Sequence, residues 1–97
     1  MSFENVHNYY ETLVLEEIQQ ALRSEKRKLD SAAIEDIGCV ALNQLPPRYV
    51  RHDVDLIFYL TPEERRQMGN AVQDAVAQAI ALVTAHTDSP GNNPATT

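Results

Sequence analysis

Hydrophobic residues in the first quarter of the chain recur at intervals of three and four positions. They are Val6, Tyr9, Tyr10, Leu13, Val14, Ile18, Ala21 and Leu22. This spacing places them on one face of a helix, so we predict a first helix over residues 4–24. Residues 24–30 carry three basic side chains and no sustained apolar period, and they predict a solvated loop.

A second apolar stripe follows this loop. It consists of Ile34, Ile37, Ala41 and Leu45. Asp30 or Ser31 can cap a helix that carries this stripe, because a short side-chain oxygen accepts the first free backbone N–H groups. Pro46 and Pro47 must end the helix, since proline lacks the amide hydrogen that a helix interior needs.

Residues 54–60 show a different period. Val54, Leu56, Phe58 and Leu60 alternate with the residues between them, and a period of two is typical of an extended strand. A lone strand needs a partner, which a second subunit could provide.

The third predicted helix has the clearest start of the three. Thr61 is a cap residue, Pro62 occupies the first helical position, and Glu64 lies three residues after the cap, where its side chain can reach back. The helical period then continues to about residue 86 through Met68, Val72, Ala75, Val76, Ala79, Ile80 and Val83. Residues 87–97 hold two prolines and no large apolar residue, and they predict a disordered tail.

These patterns predict a mainly α-helical fold in a single small domain over residues 1–86. Three main helices are expected, with an extended loop or short strand between the second and the third. A chain of 97 residues has the length of a single domain. Three helices of this length bury a limited core alone, so we also expect an oligomer.

Charge and cysteine content narrow the possible partners and location. The chain has 14 acidic against 8 basic residues and a net charge of −6, which argues against direct binding of nucleic acid or of an anionic membrane. It has one cysteine, so it forms no internal disulfide and we expect a cytoplasmic protein. No secretory signal is recognisable, and no stretch approaches the roughly 18 apolar residues of a membrane span.

The stretch over residues 43–52 has an unusual composition for an acidic protein, with two arginines, a histidine, a tyrosine and no acid. Its two consecutive prolines hold the following residues extended, so Arg48 and Tyr49 are presented by a stiff backbone. Arginine's planar fork fits phosphate oxygens or the O6/N7 edge of guanine, and a tyrosine ring can stack on a base. The stretch therefore suits a nucleotide.

A purely structural interpretation of the same stretch stays open. In it, the prolines only stop the helix, while Tyr49 and Val50 lie in the core. The arginines are then solvated or paired with Asp53 and Asp55.

Candidates for metal binding or catalysis are weaker. Glu4, His7 and Glu11 would share a face of the first helix, with the Glu-x-x-His spacing of carboxylate-bridged metal bundles, but the chain has no second such motif. Cys39 is expected to pack in the core rather than to act as a nucleophile. We therefore expect no catalytic residue, no metal and no cofactor, and hence no enzyme.

Two runs of residues resemble a known family. The run Asn8-Tyr9-Tyr10-Glu11 and the run over residues 41–50, Ala-Leu-Asn-Gln-Leu-Pro-Pro-Arg-Tyr-Val, look like those of the late competence development protein ComFB family of bacteria. The resemblance covers residues 6–86. It implies a small, mainly helical, dimeric, cytoplasmic receptor for a cyclic dinucleotide second messenger, cyclic di-GMP or cyclic di-AMP. It further implies that the receptor relays the signal by contacting a downstream regulatory protein.

The resemblance also implies candidate ligand-binding positions. The family pattern falls on Asn43, Leu45, Pro46, Pro47, Arg48 and Tyr49, and these are the positions that we carry over. Some relatives hold zinc with several cysteines, whereas this chain has only Cys39, so we expect no zinc.

The chemistry of the side chains assigns roles within this set. Arg48 would bind a phosphate or the Hoogsteen edge of guanine, which makes cyclic di-GMP the favoured ligand, while Tyr49 would stack on a base and Asn43 would bind a base edge. A two-fold dimer that presents one such loop from each subunit would match the two-fold symmetry of the ligand.

Three further residues are assigned to the same cleft. Arg51 would add positive charge, and Asn8 and Glu11 would line the cleft from the first helix. The alternative function is a dimeric protein–protein adaptor that binds no nucleotide.

Overall fold

The computed structural model describes residues 1–88, with side chains through residue 85. The elements are β1 (His7–Asn8), α1 (Tyr10–Ser24), α2 (Ser31–Asn43), β2 (Tyr49–Val50), α3 (Asp53–Tyr59) and α4 (Pro62–Asp88). The two short strands pair antiparallel, with His7 opposite Val50 and Asn8 opposite Tyr49. The prediction of a mainly α-helical fold is confirmed.

The core lies between the three long helices, with α2 packed against both α1 and α4. Its buried members are Tyr10, Val14, Ile18, Leu22, Ile37, Ala41, Leu45, Val72, Ala75, Val76, Ala79, Ile80 and Val83. They come from the three apolar stripes that the sequence predicts. Ile18 and Ile37 are among the most completely buried, and full burial of such a side chain contributes about 1.5–3 kcal/mol.

The start of α1 differs from the prediction, because the helix begins at Tyr10 rather than at residue 4. The residues before it form β1, which pairs with β2. In addition, the Asn8 side-chain oxygen accepts the backbone N–H of Tyr10 at 3.2 Å. An asparagine that bonds nearby backbone in this way favours a helix start over a helix interior.

The prediction of an extended segment over residues 54–60 is wrong, since Asp53–Tyr59 is the helix α3. Its buried residue Leu56 and the following Leu60, also buried, lie four positions apart. That spacing fits both a period of two and the turn of a helix. As a helix, this segment needs no partner strand from a second subunit, and the short strand β2 that precedes it is paired by β1 of the same chain.

The helix starts predicted from cap residues are confirmed. The Asp30 carboxylate accepts the backbone N–H of Ala33 at 2.8 Å. Thr61 Oγ1 accepts the N–H of Glu64 at 3.0 Å, and Glu64 Oε1 accepts the N–H of Thr61 at 3.3 Å, which is a capping box. Helix α4 continues to Asp88, and the remainder of the predicted tail, residues 89–97, lies outside the described residues.

The end of α1 is a tight turn that the sequence pattern did not predict. Lys26 has a φ of 53°, its N–H donates to the carbonyl of Arg23 at 3.1 Å, and the N–H of Arg27 donates to the carbonyl of Leu22 at 2.9 Å. This pair of bonds is a Schellman motif, with lysine in the left-handed position that glycine usually occupies.

No helix of residues 1–88 is both long and apolar enough to span a bilayer.

Candidate functional site

The proline–arginine loop between α2 and β2 is held in place by residues near the start of the chain. Asn8 Oδ1 accepts the backbone N–H of Arg48 at 3.0 Å, and the N–H of Tyr9 donates to the carbonyl of Arg48 at 2.7 Å. Both backbone polar groups of Arg48 are therefore bonded to the segment that leads into α1. Because Asn8 Oδ1 also accepts the N–H of Tyr10, this one oxygen fixes the loop against the first helix.

The pairing of β1 with β2 directs the next residue of the loop into solvent. Tyr49 is 66 % exposed, while Val50 is half-buried. The structural interpretation that placed Tyr49 in the core is therefore wrong for this residue. Its phenol ring is free to contact a ligand.

The arginines of the loop do not pair with the aspartates that follow them. Among the described residues, Asp53 is paired with His7, at 2.6 Å between Oδ1 and Nε2, and neither Arg48 nor Arg51 has a carboxylate within ion-pair distance. Arg51 Nε instead donates to His52 Nε2 at 3.2 Å. The loop therefore keeps the positive charge that its composition predicts.

A cavity of about 270 Å³ lies beside the loop. Pro46, Pro47 and Arg48 line it on the loop side, and the remaining lining residues are Tyr10, Leu60, Glu64, Gln67 and Met68. Pockets for small ligands typically measure about 300–1,000 Å³. One chain thus offers room for part of a dinucleotide, between walls that present both polar and apolar groups.

Two predicted site residues lie close to the loop without lining this cavity. Asn43 is exposed, and its Nδ2 donates to the carbonyl of Cys39, one turn earlier in α2, at 2.9 Å. Leu45 is 8 % exposed and belongs to the core. Its burial anchors the loop at the point where the chain leaves α2.

Glu11 lies elsewhere. It is exposed and lines a groove between α1 and α2 together with Leu15, Cys39 and Leu42. Cys39 is also exposed rather than in the core, because it is two residues from both Ile37 and Ala41 and so lies on the opposite side of α2. The structure therefore brings together two parts of the predicted cleft, the proline–arginine loop and Asn8. It places the third part, Glu11, in a different groove.

The predicted helical face of Glu4, His7 and Glu11 does not form, since His7 lies in β1 and precedes the helix. Within the described residues, no group of three or more His, Cys, Asp and Glu side chains is placed to hold a metal ion. His7 instead connects β1 to the first turn of α3 through Asp53.

The opposite wall of the cavity contains residues that the sequence did not assign to the site. Glu64, Gln67 and Met68 follow one another at intervals of three and one on α4, so they share a helix face. The sequence analysis assigned Glu64 to the helix cap and Met68 to the apolar stripe of the third helix, and neither signal connects them with Arg48. That this face lies opposite Arg48 depends on how the long helices pack.

Comparison with known proteins identifies a family whose model matches most of the chain. The model of the family described as Late competence development protein ComFB matches residues 7–87, a range that includes both strands, α1, α2, α3 and nearly all of α4. No curated protein and no solved structure is significantly similar to the chain.

Proposed function

Because this chain belongs to the ComFB family, we propose that it is a receptor for a cyclic dinucleotide second messenger, with cyclic di-GMP as the favoured ligand. It relays the signal through a protein partner, catalyses no reaction and works in the cytoplasm. The observation that carries the proposal is the hydrogen bond from the backbone of Arg48 to Asn8, which holds the loop in one conformation.

The charge and exposure of the loop support a nucleotide as its ligand. Arg48 lines the cavity and has no carboxylate partner among the described residues, so its guanidinium is available for a phosphate or for the O6/N7 edge of guanine. Tyr49 is exposed next to it and can stack on a base. A loop that is already ordered loses less entropy when it binds.

The size of the cavity supports a homodimer as the binding form. About 270 Å³ is at or below the lower end of the range for small-ligand pockets, while a cyclic dinucleotide has two bases and two phosphates. Two loops related by a two-fold axis would each bind one half of such a ligand. Cyclic di-AMP has the same backbone, and it is the second ligand that this arrangement would accept.

Isothermal titration calorimetry tests the proposal directly. We expect saturable binding of cyclic di-GMP or cyclic di-AMP and no binding of GTP. Arg48→Ala should weaken binding by about 1–3 kcal/mol, the scale of a bidentate base contact. Arg23→Ala is the matched control, because Arg23 is an exposed arginine near the end of α1 and should leave the affinity unchanged.

Two results would contradict the proposal. Unchanged affinity in a folded Arg48→Ala variant would show that the ligand lies elsewhere. Absence of binding to either cyclic dinucleotide would leave the alternative, a dimeric adaptor without a nucleotide ligand. The exposed apolar residues of α3, such as Phe58, favour that alternative, and it predicts a partner complex that nucleotides do not change.

A further inference from the structure

The cavity beside the proline–arginine loop has one charged side chain on each of two walls. Arg48 lines it from the loop, and Glu64 lines it from α4. The ion pairs formed among the described residues include neither of them, so the guanidinium and the carboxylate stay apart. A ligand that enters the cavity therefore meets a cation on one side and an anion on the other.

The Glu64 carboxylate keeps acceptor capacity after it has made its bond within the protein. Its Oε1 accepts the N–H of Thr61 at 3.3 Å in the capping box, and its Oε2 accepts no hydrogen bond from the described residues. An ionised carboxylate has about four lone-pair sites. Glu64 is thus held by the helix start and can still accept two hydrogen bonds from a ligand.

The two purine bases differ on the edge that a carboxylate can bind. Guanine has two adjacent donors on its Watson–Crick edge, N1–H and the 2-amino group, and two acceptors, O6 and N7, on its Hoogsteen edge. Adenine has an acceptor at N1 and no 2-amino group. A carboxylate only accepts and a guanidinium only donates, so an arginine and a glutamate together are complementary to both edges of guanine.

The same carboxylate makes the cavity a poor site for a phosphate. A phosphate between Arg48 and Glu64 would bring two negative groups close together, and like charges at such short range repel. Of the two contacts open to Arg48, the one with the base edge is therefore favoured inside this cavity. At about 270 Å³, the cavity also suits one part of a dinucleotide better than the whole ligand.

We propose that Glu64 is the residue that selects guanine. Its carboxylate accepts the N1–H and the 2-amino group of one base, while Arg48 donates to O6 and N7 of that base. The other polar side chains of the lining, Tyr10 and Gln67, each have a donor and an acceptor and so accept either purine. This inference rests on the proposed nucleotide function and adds the residue that determines base specificity.

Calorimetry of Glu64→Gln with cyclic di-GMP and cyclic di-AMP tests this role. Glutamine keeps the capping box but replaces one acceptor oxygen by a donor, so the preference for cyclic di-GMP should fall about tenfold or more. Glu63→Gln is the matched control. It removes the same charge one residue away, from a side chain that pairs with Arg66 and does not line the cavity, and it should leave the preference unchanged.

The cyclic dinucleotide of inosine identifies the atoms that Glu64 binds. Its base lacks the 2-amino group and keeps N1–H, O6 and N7. We expect the wild type to bind it about tenfold more weakly than cyclic di-GMP, and Glu64→Gln to bind the two ligands equally. Arg48→Ala should weaken both by the same factor, because both present O6 and N7. Such a cycle isolates the interaction between one side chain and one ligand group.

The possible results separate this inference from the proposed function. If the wild type prefers cyclic di-GMP and Glu64→Gln retains that preference, Glu64 does not select the base, while the receptor function stands. Equal weakening of all three cyclic dinucleotides in Glu64→Gln would show that Glu64 acts only through the helix start. A wild type that prefers cyclic di-AMP would also overturn the inference. Absence of binding to all three ligands would overturn the proposed function, and this inference with it.

Discussion

Asn8 and Arg48 are 40 positions apart in the chain, and the side-chain oxygen of the first accepts the backbone N–H of the second at 3.0 Å. The same oxygen accepts the N–H of Tyr10. A single amide group thus fixes both the start of α1 and the position of the loop. The conformation of the candidate site therefore depends on a residue that need not touch the ligand.

Replacement of Asn8 should affect both stability and binding. Asn8→Ala removes the acceptor of the N–H groups of Arg48 and Tyr10, and we expect a loss of about 0.5–1.5 kcal/mol in the free energy of unfolding, measured by urea denaturation, because water can reach these groups. Cyclic di-GMP affinity should fall as well, because the loop is no longer held. Asn8→Asp retains an acceptor oxygen and should keep most of the stability and most of the affinity for cyclic di-GMP. Equal effects of the two substitutions would argue against this role for the side-chain oxygen.

The left-handed residue at the end of α1 offers a stabilising substitution. Lys26 has a φ of 53°, a conformation that costs a non-glycine residue about 1–2 kcal/mol. Lys26→Gly should therefore raise the free energy of unfolding by about 1 kcal/mol in urea denaturation. Lys28→Gly, at a residue without a positive φ, should not stabilise the protein. A stabilisation of equal size in both variants would point to the lost charge as the cause.

Tyr49 should contribute to binding and not to stability. Stacking of a base on an aromatic ring contributes about 1–3 kcal/mol, so Tyr49→Ala should weaken cyclic di-GMP by that amount in calorimetry, while Tyr49→Phe retains most of the affinity. Since Tyr49 is 66 % exposed, the midpoint of thermal unfolding of the Tyr49→Ala variant should change little. Tyr59→Ala removes another exposed tyrosine, and an equal loss of nucleotide affinity there would contradict a specific role for Tyr49.

Much of the fold could be predicted because its signals are local. The apolar stripes of α2 and α4, the Asp30 cap and the capping box of Thr61 and Glu64 depend on residues within one or two helical turns. The composition of the proline–arginine loop also marks it in the sequence. Where two local interpretations fit equally well, the prediction was wrong: Leu56 and Leu60 satisfy a strand period and a helix period at once.

The sequence by itself determined the three long helices, their buried faces and the stiff, positively charged loop that follows α2. Only the tertiary structure decided that α1 starts at Tyr10, that Arg48 faces Gln67 and Met68 across a cavity, and that Cys39 and Phe58 lie in solvent. These features depend on contacts between residues distant in the chain, such as Asn8 with Arg48 and His7 with Asp53. Periodicity shows which face of a helix is apolar, but it does not show which other element that face will meet.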